Sequence, residues 1–294
     1  MNRIGVVPAV LAAAILISCG PQGSVGMDPF NLNPQMAQIQ AQDSLVEPAS
    51  FRRYVLPDMQ PWSLEEVSTF GLAYANSNDR LVSCDDWTQI SPELITGQRI
   101  ITFQLGSANL GLGHLRVRRG PQMPDGWHFF QTTSQVDNAG QCYSTEQEIA
   151  VVPPGQNGRW LPLASFSLYT EADDGSVGEL VVCQMKRWCC LGSSPTCNTI
   201  RPPCSLGYQT DNIDSGTRDV YPFHWQDQFV PLQNVPSGRY WFEHKINAAR
   251  VLIESDYSNN SLWFKIELNR EADTVRIVEY PNASVCPSGG DETH

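Results

Sequence analysis

The chain has 294 residues, 41% of them hydrophobic and 17% charged, with 31 acidic against 19 basic side chains and a net charge of −12. A surface this acidic argues against nucleic acid and anionic lipid headgroups as partners. Roughly 240 residues remain beyond the N-terminal region, enough for one large β domain or two small ones.

The N-terminus reads as an export signal. Arg3 supplies a positive start. Val6 to Ile17 is a short apolar run containing Pro8, too short for the about 20 residues that cross a bilayer. Leu16-Ile17-Ser18-Cys19 has the form of a bacterial lipobox: small residues fit the signal peptidase, and the Cys19 thiol accepts diacylglycerol. Residues 1–18 are therefore expected to be a lipoprotein signal peptide, with Cys19 as the lipidated residue. Residues 19–50, rich in Gln, Asn, Pro, Ser and Gly and without apolar periodicity, follow as a flexible tether. Gly20 in place of Asp after the cysteine favours the outer membrane if the cell is Gram-negative. The expected location is the cell envelope, lipid-anchored, at the outer membrane or cell surface. Cleavage removes one basic residue, Arg3, and leaves 18 basic against 31 acidic side chains, a net charge of −13.

Residues 51–294 carry the fold. Pro61 to Val67 predicts one short helix, with Ser63 as N-cap and Glu66 at the capping-box position. Almost everything else predicts strands: 100–105, 115–117, 127–131, 166–169, 179–182, 240–243 and 262–268. Alternation is clearest in the last, where Leu262, Phe264, Ile266 and Leu268 share one face and Trp263, Lys265 and Glu267 the other. Gly106 to Gly113 reads as a glycine-rich link between two strands; no helix signal follows it, so it is not a phosphate loop. The fold class is all-β, an antiparallel β-sandwich with long disulfide-linked loops.

Apart from Cys19, eight cysteines remain: Cys84, Cys142, Cys183, Cys189, Cys190, Cys197, Cys204 and Cys286. In an exported chain an even number reads as disulfides, up to four, with 105 possible pairings. Zinc is disfavoured because Cys189 and Cys190 are adjacent and no CxxC pair exists.

Several segments then point to a family. Val235-Pro236-Ser237-Gly238-Arg239-Tyr240 followed by Glu254-Ser255-Asp256-Tyr257-Ser258-Asn259-Asn260 resembles the end of a lysyl oxidase domain, with its "ESDYTNN" segment and last strand. Ile101-Thr102-Phe103 with Ala108 to Leu115 resembles an early strand of bacterial members. Lys186-Arg187-Trp188-Cys189-Cys190-Leu191 resembles a "K-x-x-F-C-L" segment, and His224-Trp225-Gln226-Asp227 a "Q-W-I-D" segment. The pieces stand in the family's order over roughly residues 55 to 270. The resemblance implies a copper amine oxidase: clustered histidines bind Cu(II), and a lysine and a tyrosine are joined into a lysine tyrosylquinone that condenses with a substrate amine. Cu(II) favours the N/O ligation that neutral imidazoles supply.

The sequence departs from that family at the chemistry. The histidine cluster would fall just before Phe166, where the chain reads Asn157 to Ser165 and an HYH-like triplet would align with Arg159-Trp160-Leu161. Lys186 matches the quinone lysine. The tyrosine position, counted back from Trp225, falls near Thr217, with Tyr208 and Tyr221 displaced from the pattern. The five histidines, His114, His128, His224, His244 and His294, show no HxH or HxxxH spacing. Glu171, Asp173 and Asp174 before Gly175 read as a hairpin turn, with Ca²⁺ as the alternative. Trp160, Trp188 and Trp263 are strand tryptophans that could instead stack on a sugar. No GxSxG segment occurs.

The expected function is a lipid-anchored, non-catalytic binding or structural module with a lysyl-oxidase-like fold and no copper or quinone. Its partners are the membrane and a protein or glycan of the cell envelope. Two alternatives remain: a copper-dependent amine oxidase with relocated ligands, and a calcium-assisted carbohydrate-binding sandwich.

Overall fold

A computed structural model describes residues 52–62, 70–86, 90–154, 161–188, 194–195, 203–204, 212–221 and 227–280. The chain divides into Met1–Ala49, outside the described residues, and Ser50–His294, which holds everything below. The first strands are β1 (Arg52–Val55), β2 (Met59–Trp62), β3 (Phe70–Tyr74), β4 (Arg80–Val82), β5 (Ile90–Leu94), β6 (Arg99–Phe103) and β7 (Leu105–Asn109). Next come β8 (Leu115–Met123), β9 (Gly126–Asp137), β10 (Cys142–Val152), β11 (Leu161–Glu171), β12 (Val177–Trp188) and β13 (Ser194–Pro195). The last are β14 (Asn212–Ile213), β15 (Thr217–Tyr221), β16 (Phe229–Pro231), β17 (Gly238–Ile246), β18 (Ser261–Asn269) and β19 (Thr274–Glu279). The described residues contain no helix.

The period-two pattern of 262–268 builds the central wall. Leu262, Phe264, Ile266 and Leu268 are all buried, while Trp263, Lys265 and Glu267 face the other way. β18 lies within an antiparallel sheet of order β12-β11-β17-β18-β19. A smaller sheet, β16-β6-β3, packs across its inner face. The contact is aromatic: Phe103 meets Phe166 at 4.4 Å and Phe242 at 4.9 Å between ring centroids, and Phe70 meets Phe242 at 4.9 Å. These are two sheets face to face, the expected sandwich. Truncating Phe103 to alanine at this junction would cost about 3–5 kcal/mol.

A two-stranded β4-β5 sheet and two larger antiparallel sheets complete the scaffold, β1-β9-β8-β14 with β10 on β9, and β13-β15-β7-β2. The latter corrects two expectations. Pro61 and Trp62 belong to β2 rather than to the start of a helix and pair with Ser107 and Gly106; Ser63 to Val67, the rest of the expected helix, lie outside the described residues. Trp62 is buried, and β2 is an edge strand, where a proline without an N–H is tolerated. Gly106 to Asn109 is likewise strand rather than link. A Cβ on Gly106 would lie 2.2 Å from the Asp219 carbonyl oxygen, so the glycine serves close strand approach. The true link is residues 110–114, and Asn109 holds it. Its Nδ2 donates to the Gly113 and Ile213 carbonyls at 2.8 and 3.0 Å, and its Oδ1 accepts from Asp58 N and Gly111 N at 3.1 Å each.

Two disulfides are present among the described residues, Cys84–Cys183 and Cys142–Cys204. The first ties the loop after β4 to the middle of β12. Cys189, Cys190, Cys197 and Cys286 lie outside the described residues.

Candidate functional site

The second half of β12 turns inward. Gln184, Met185, Lys186 and Arg187 are all buried. Two adjacent buried cations demand partners, because an unpaired charge away from water costs several kcal/mol. The pair Asp227-Gln228 supplies both. Lys186 Nζ donates to Gln228 Oε1 at 2.7 Å, and Arg187 Nε donates to Asp227 Oδ2 at 2.8 Å. Asp227 stands at φ 59°, a left-handed backbone that aspartate tolerates better than most residues. Burial pushes its carboxyl up, while Arg187 pulls it back down. The segments beginning at Lys186 and ending at Asp227 thus meet in space.

Gln228 is the joint of the cluster. Its Nε2 reaches the carbonyls of Phe103, Leu105 and Tyr221 at 2.9, 3.2 and 3.2 Å. Lys186 Nζ lies 3.8 Å from the centroid of the Tyr221 ring, a buried cation–π contact worth about 2 kcal/mol where water is excluded. His244 is fully enclosed nearby, its ring 5.1 Å from Phe166. Burial, and then the charge of Lys186, push its imidazole down to about 3, so it stays neutral at ordinary pH. Its Nδ1 has no hydrogen-bond partner among the described residues.

The tyrosine that faces Lys186 is Tyr221, not the position near Thr217. Thr217 pairs with Asn109 and donates its hydroxyl to the Asp214 carbonyl at 2.8 Å. Four residues along β15, it is about 13 Å from Tyr221. Counting along the chain does not reveal this contact, because β15 and β12 belong to different sheets and only their packing brings the two side chains together. Leu161 opens β11 as a buried core residue paired with Trp188. Arg159, Trp160 and Tyr208 lie outside the described residues.

The described histidines do not gather. His114 sits beside Asp214, Nδ1 to Oδ1 3.0 Å, and burial and Arg116 push its imidazole down. His128 is held by Asp125 at 3.0 Å and Glu148 at 2.6 Å, which push it up. With Val117 opposite Gln131, these two stand about 20 Å apart along the β8–β9 ladder. His224 and His294 lie outside the described residues. Among the described residues no three His, Cys, Asp or Glu side chains come together to hold a metal ion. Two of the three carboxylates weighed for Ca²⁺ are otherwise engaged. Glu171 pairs with Lys265 at 3.0 Å, and Asp174 accepts from Ser176 N at 3.0 Å around a hairpin whose Gly175 has φ 82°. Trp263 packs on Tyr169 at 5.3 Å, reaching across the intervening strand β17 on the same face of the sheet.

The segment 254–260 is a second polar knot. Asp256 Oδ1 accepts from Ser258 N at 2.7 Å, a local turn as expected. From the sequence, the carboxylates of this turn read as solvated; Glu254 is instead buried. Its Oε1 accepts from Asn247 Nδ2 and Asn260 Nδ2 at 2.6 Å each, and its Oε2 from Met59 N at 2.9 Å. Asn259 and Asn260, which tolerate left-handed angles, do not adopt them; nearby Asn247 and Arg250 do, at φ 48° and 51°.

Residues 183–278 match the lysyl oxidase family model. The chain carries a lysyl oxidase-like domain. The match runs from Cys183 in β12 to Val278 in β19. It takes in Lys186, Tyr221, Gln228, His244 and the whole 254–260 knot, the internal polar joints of this lysyl oxidase-like domain. No curated protein matches the chain. The described residues of the domain do not fit a copper centre, since no imidazole cluster stands beside the Lys186–Tyr221 pair. They do bring one lysine and one tyrosine into contact.

Proposed function

We propose that the chain is an exported lipoprotein whose lysyl oxidase-like domain has left copper amine oxidation behind. It works as a non-catalytic binding or structural module of the cell envelope, held to a membrane through Cys19. One observation carries this reading: Lys186 is locked between Gln228 and Tyr221, while the described histidines stand apart, His114 in the link before β8, His128 on β9 and His244 on β17. A lysine so held serves the fold as a buried cation.

The experiment is copper reconstitution of the mature protein, with metal analysis, an absorption spectrum and a peroxide assay on primary amines. The expected result is less than stoichiometric copper, no quinone band and no peroxide. Stoichiometric copper with a quinone band would overturn the proposal. The anchor is tested separately: Cys19→Ala should move the protein from the membrane fraction to the soluble one, and unchanged partitioning would exclude lipidation there.

A second function, a copper-dependent amine oxidase with relocated ligands, is favoured by the contact of Lys186 with the Tyr221 ring. Lysine tyrosylquinone, where present, supplies the carbonyl that condenses with an amine. Lys186 and Tyr221 are the two side chains that would form it here.

A further inference from the structure

A cleft of about 490 Å³ opens at the far end of β6 from the Lys186 cluster, within the range of about 300–1,000 Å³ usual for small-molecule sites. It lies where the β18–β19 turn meets β3 and β6. Leu72 and Leu232 give it apolar lining; Tyr74, Arg99, Arg270 and Asp273 give it polar lining. Tyr74 is 68% exposed, an unusual state for a large ring in a folded domain. The Arg99 guanidinium carbon lies 4.5 Å from the centre of that ring, and Arg99 Nε donates to Asp273 Oδ1 at 2.9 Å. Arg270 is anchored from behind: its Nη1 donates to the Leu232 and Val235 carbonyls at 2.8 and 2.9 Å. Those two bonds use both hydrogens of Nη1. Nε and Nη2 of Arg270 have no partner among the described residues.

The charge of this cleft runs against that of the chain. Two guanidinium groups face one carboxylate, so the lining is positive in a protein of net charge −12. A positive concavity concentrates anions. A guanidinium held through Nη1 presents Nε and Nη2 as a planar donor fork, the geometry that matches a carboxylate. An exposed tyrosine beside it offers a flat face to the C–H side of a sugar ring. We propose that this cleft binds an acidic sugar, a pyranose carrying one carboxylate, with its ring against Tyr74 and its carboxylate on Arg270. Asp273 competes with that carboxylate for Arg99 and sets the affinity. The site is separate from Lys186 and does not depend on the function proposed above.

Titration calorimetry on the mature protein tests this, with trigalacturonate as probe, maltotriose as the neutral control and hexaglutamate as the non-sugar anion. Trigalacturonate should bind at least about tenfold more tightly than either control. Asp273→Asn should tighten trigalacturonate binding by about fivefold, because Arg99 is released. Tyr74→Ala, a change at an exposed side chain that leaves the fold intact by circular dichroism, should weaken it by at least about fivefold. Equal binding of maltotriose or of hexaglutamate would overturn the proposal. So would no binding at millimolar sugar, or an affinity that neither variant changes.

Discussion

Glu254 sets two forces against each other, and the outcome can be measured. Burial, at 4% exposure, disfavours its carboxylate, while three N–H donors from Asn247, Asn260 and Met59 favour it. Burial wins, and the nearby Asp58 adds to it, so the group is pushed up from 4.5 to about 7. Raising the folded-state value of an acid means the folded protein holds this proton more tightly than the unfolded chain. The stability it contributes is fully present below about pH 4.5 and is lost as pH rises through about 7. At about 1.4 kcal/mol per unit, the loss is about 3 kcal/mol. Glu254→Gln keeps the shape and cannot ionise, although one donor then lacks an acceptor, a constant cost of about 1–3 kcal/mol. Urea unfolding of both proteins at about pH 5 and about pH 8 isolates the effect, since all other titrating groups cancel in the difference. Wild type should lose about 2.5 kcal/mol relative to the variant across that interval. A difference that stays constant with pH would show Glu254 ionised throughout, with the three donors outweighing burial.

Three other outcomes follow from buried contacts. Asp227→Ala leaves the Arg187 guanidinium buried and unpaired and should destabilise by about 3–5 kcal/mol; adding Arg187→Met should recover most of it in a double-mutant cycle by urea unfolding. Gly106→Ala forces a methyl to 2.2 Å from the Asp219 carbonyl and should lower stability by at least about 2 kcal/mol in a thermal melt, or abolish soluble expression. Replacing Cys84 and Cys183 by serine opens a crosslink spanning 99 residues and should cost about 4–5 kcal/mol in denaturant titration, with non-reducing peptide mapping of the parent confirming the pair.

The strands were legible because alternation is a local signal: Leu262, Phe264, Ile266 and Leu268 declare their face within seven residues. Glu254 was not legible. A carboxylate in a polar turn reads as solvated, and what buries it includes Met59, 195 positions away. Tyr221 escaped for a related reason. Its meeting with Lys186 joins strands of two different sheets, and spacing along the chain does not encode that. The glycines of 106–113 misled because glycine serves two ends, freedom to turn and room for a neighbour. Only a partner strand, here β15 at Asp219, decides between them. Pro61 shows the same ambiguity, since it suits the first turn of a helix and an edge strand equally.

Gln228 has a consequence for how the domain opens. Its single amide group touches the backbone at the bend between β6 and β7, the end of β15 and the amine of β12, which belong to three separate sheets. Each sheet is hydrogen-bonded within itself, so on ladder contacts alone each could fray by itself. A shared side chain removes that freedom, because loosening any one sheet strands the buried amide and the buried amine together. Amide protons of β6, β15 and the second half of β12 should therefore exchange with solvent as one cooperative unit, and Gln228→Ala should split that unit into parts with separate opening rates.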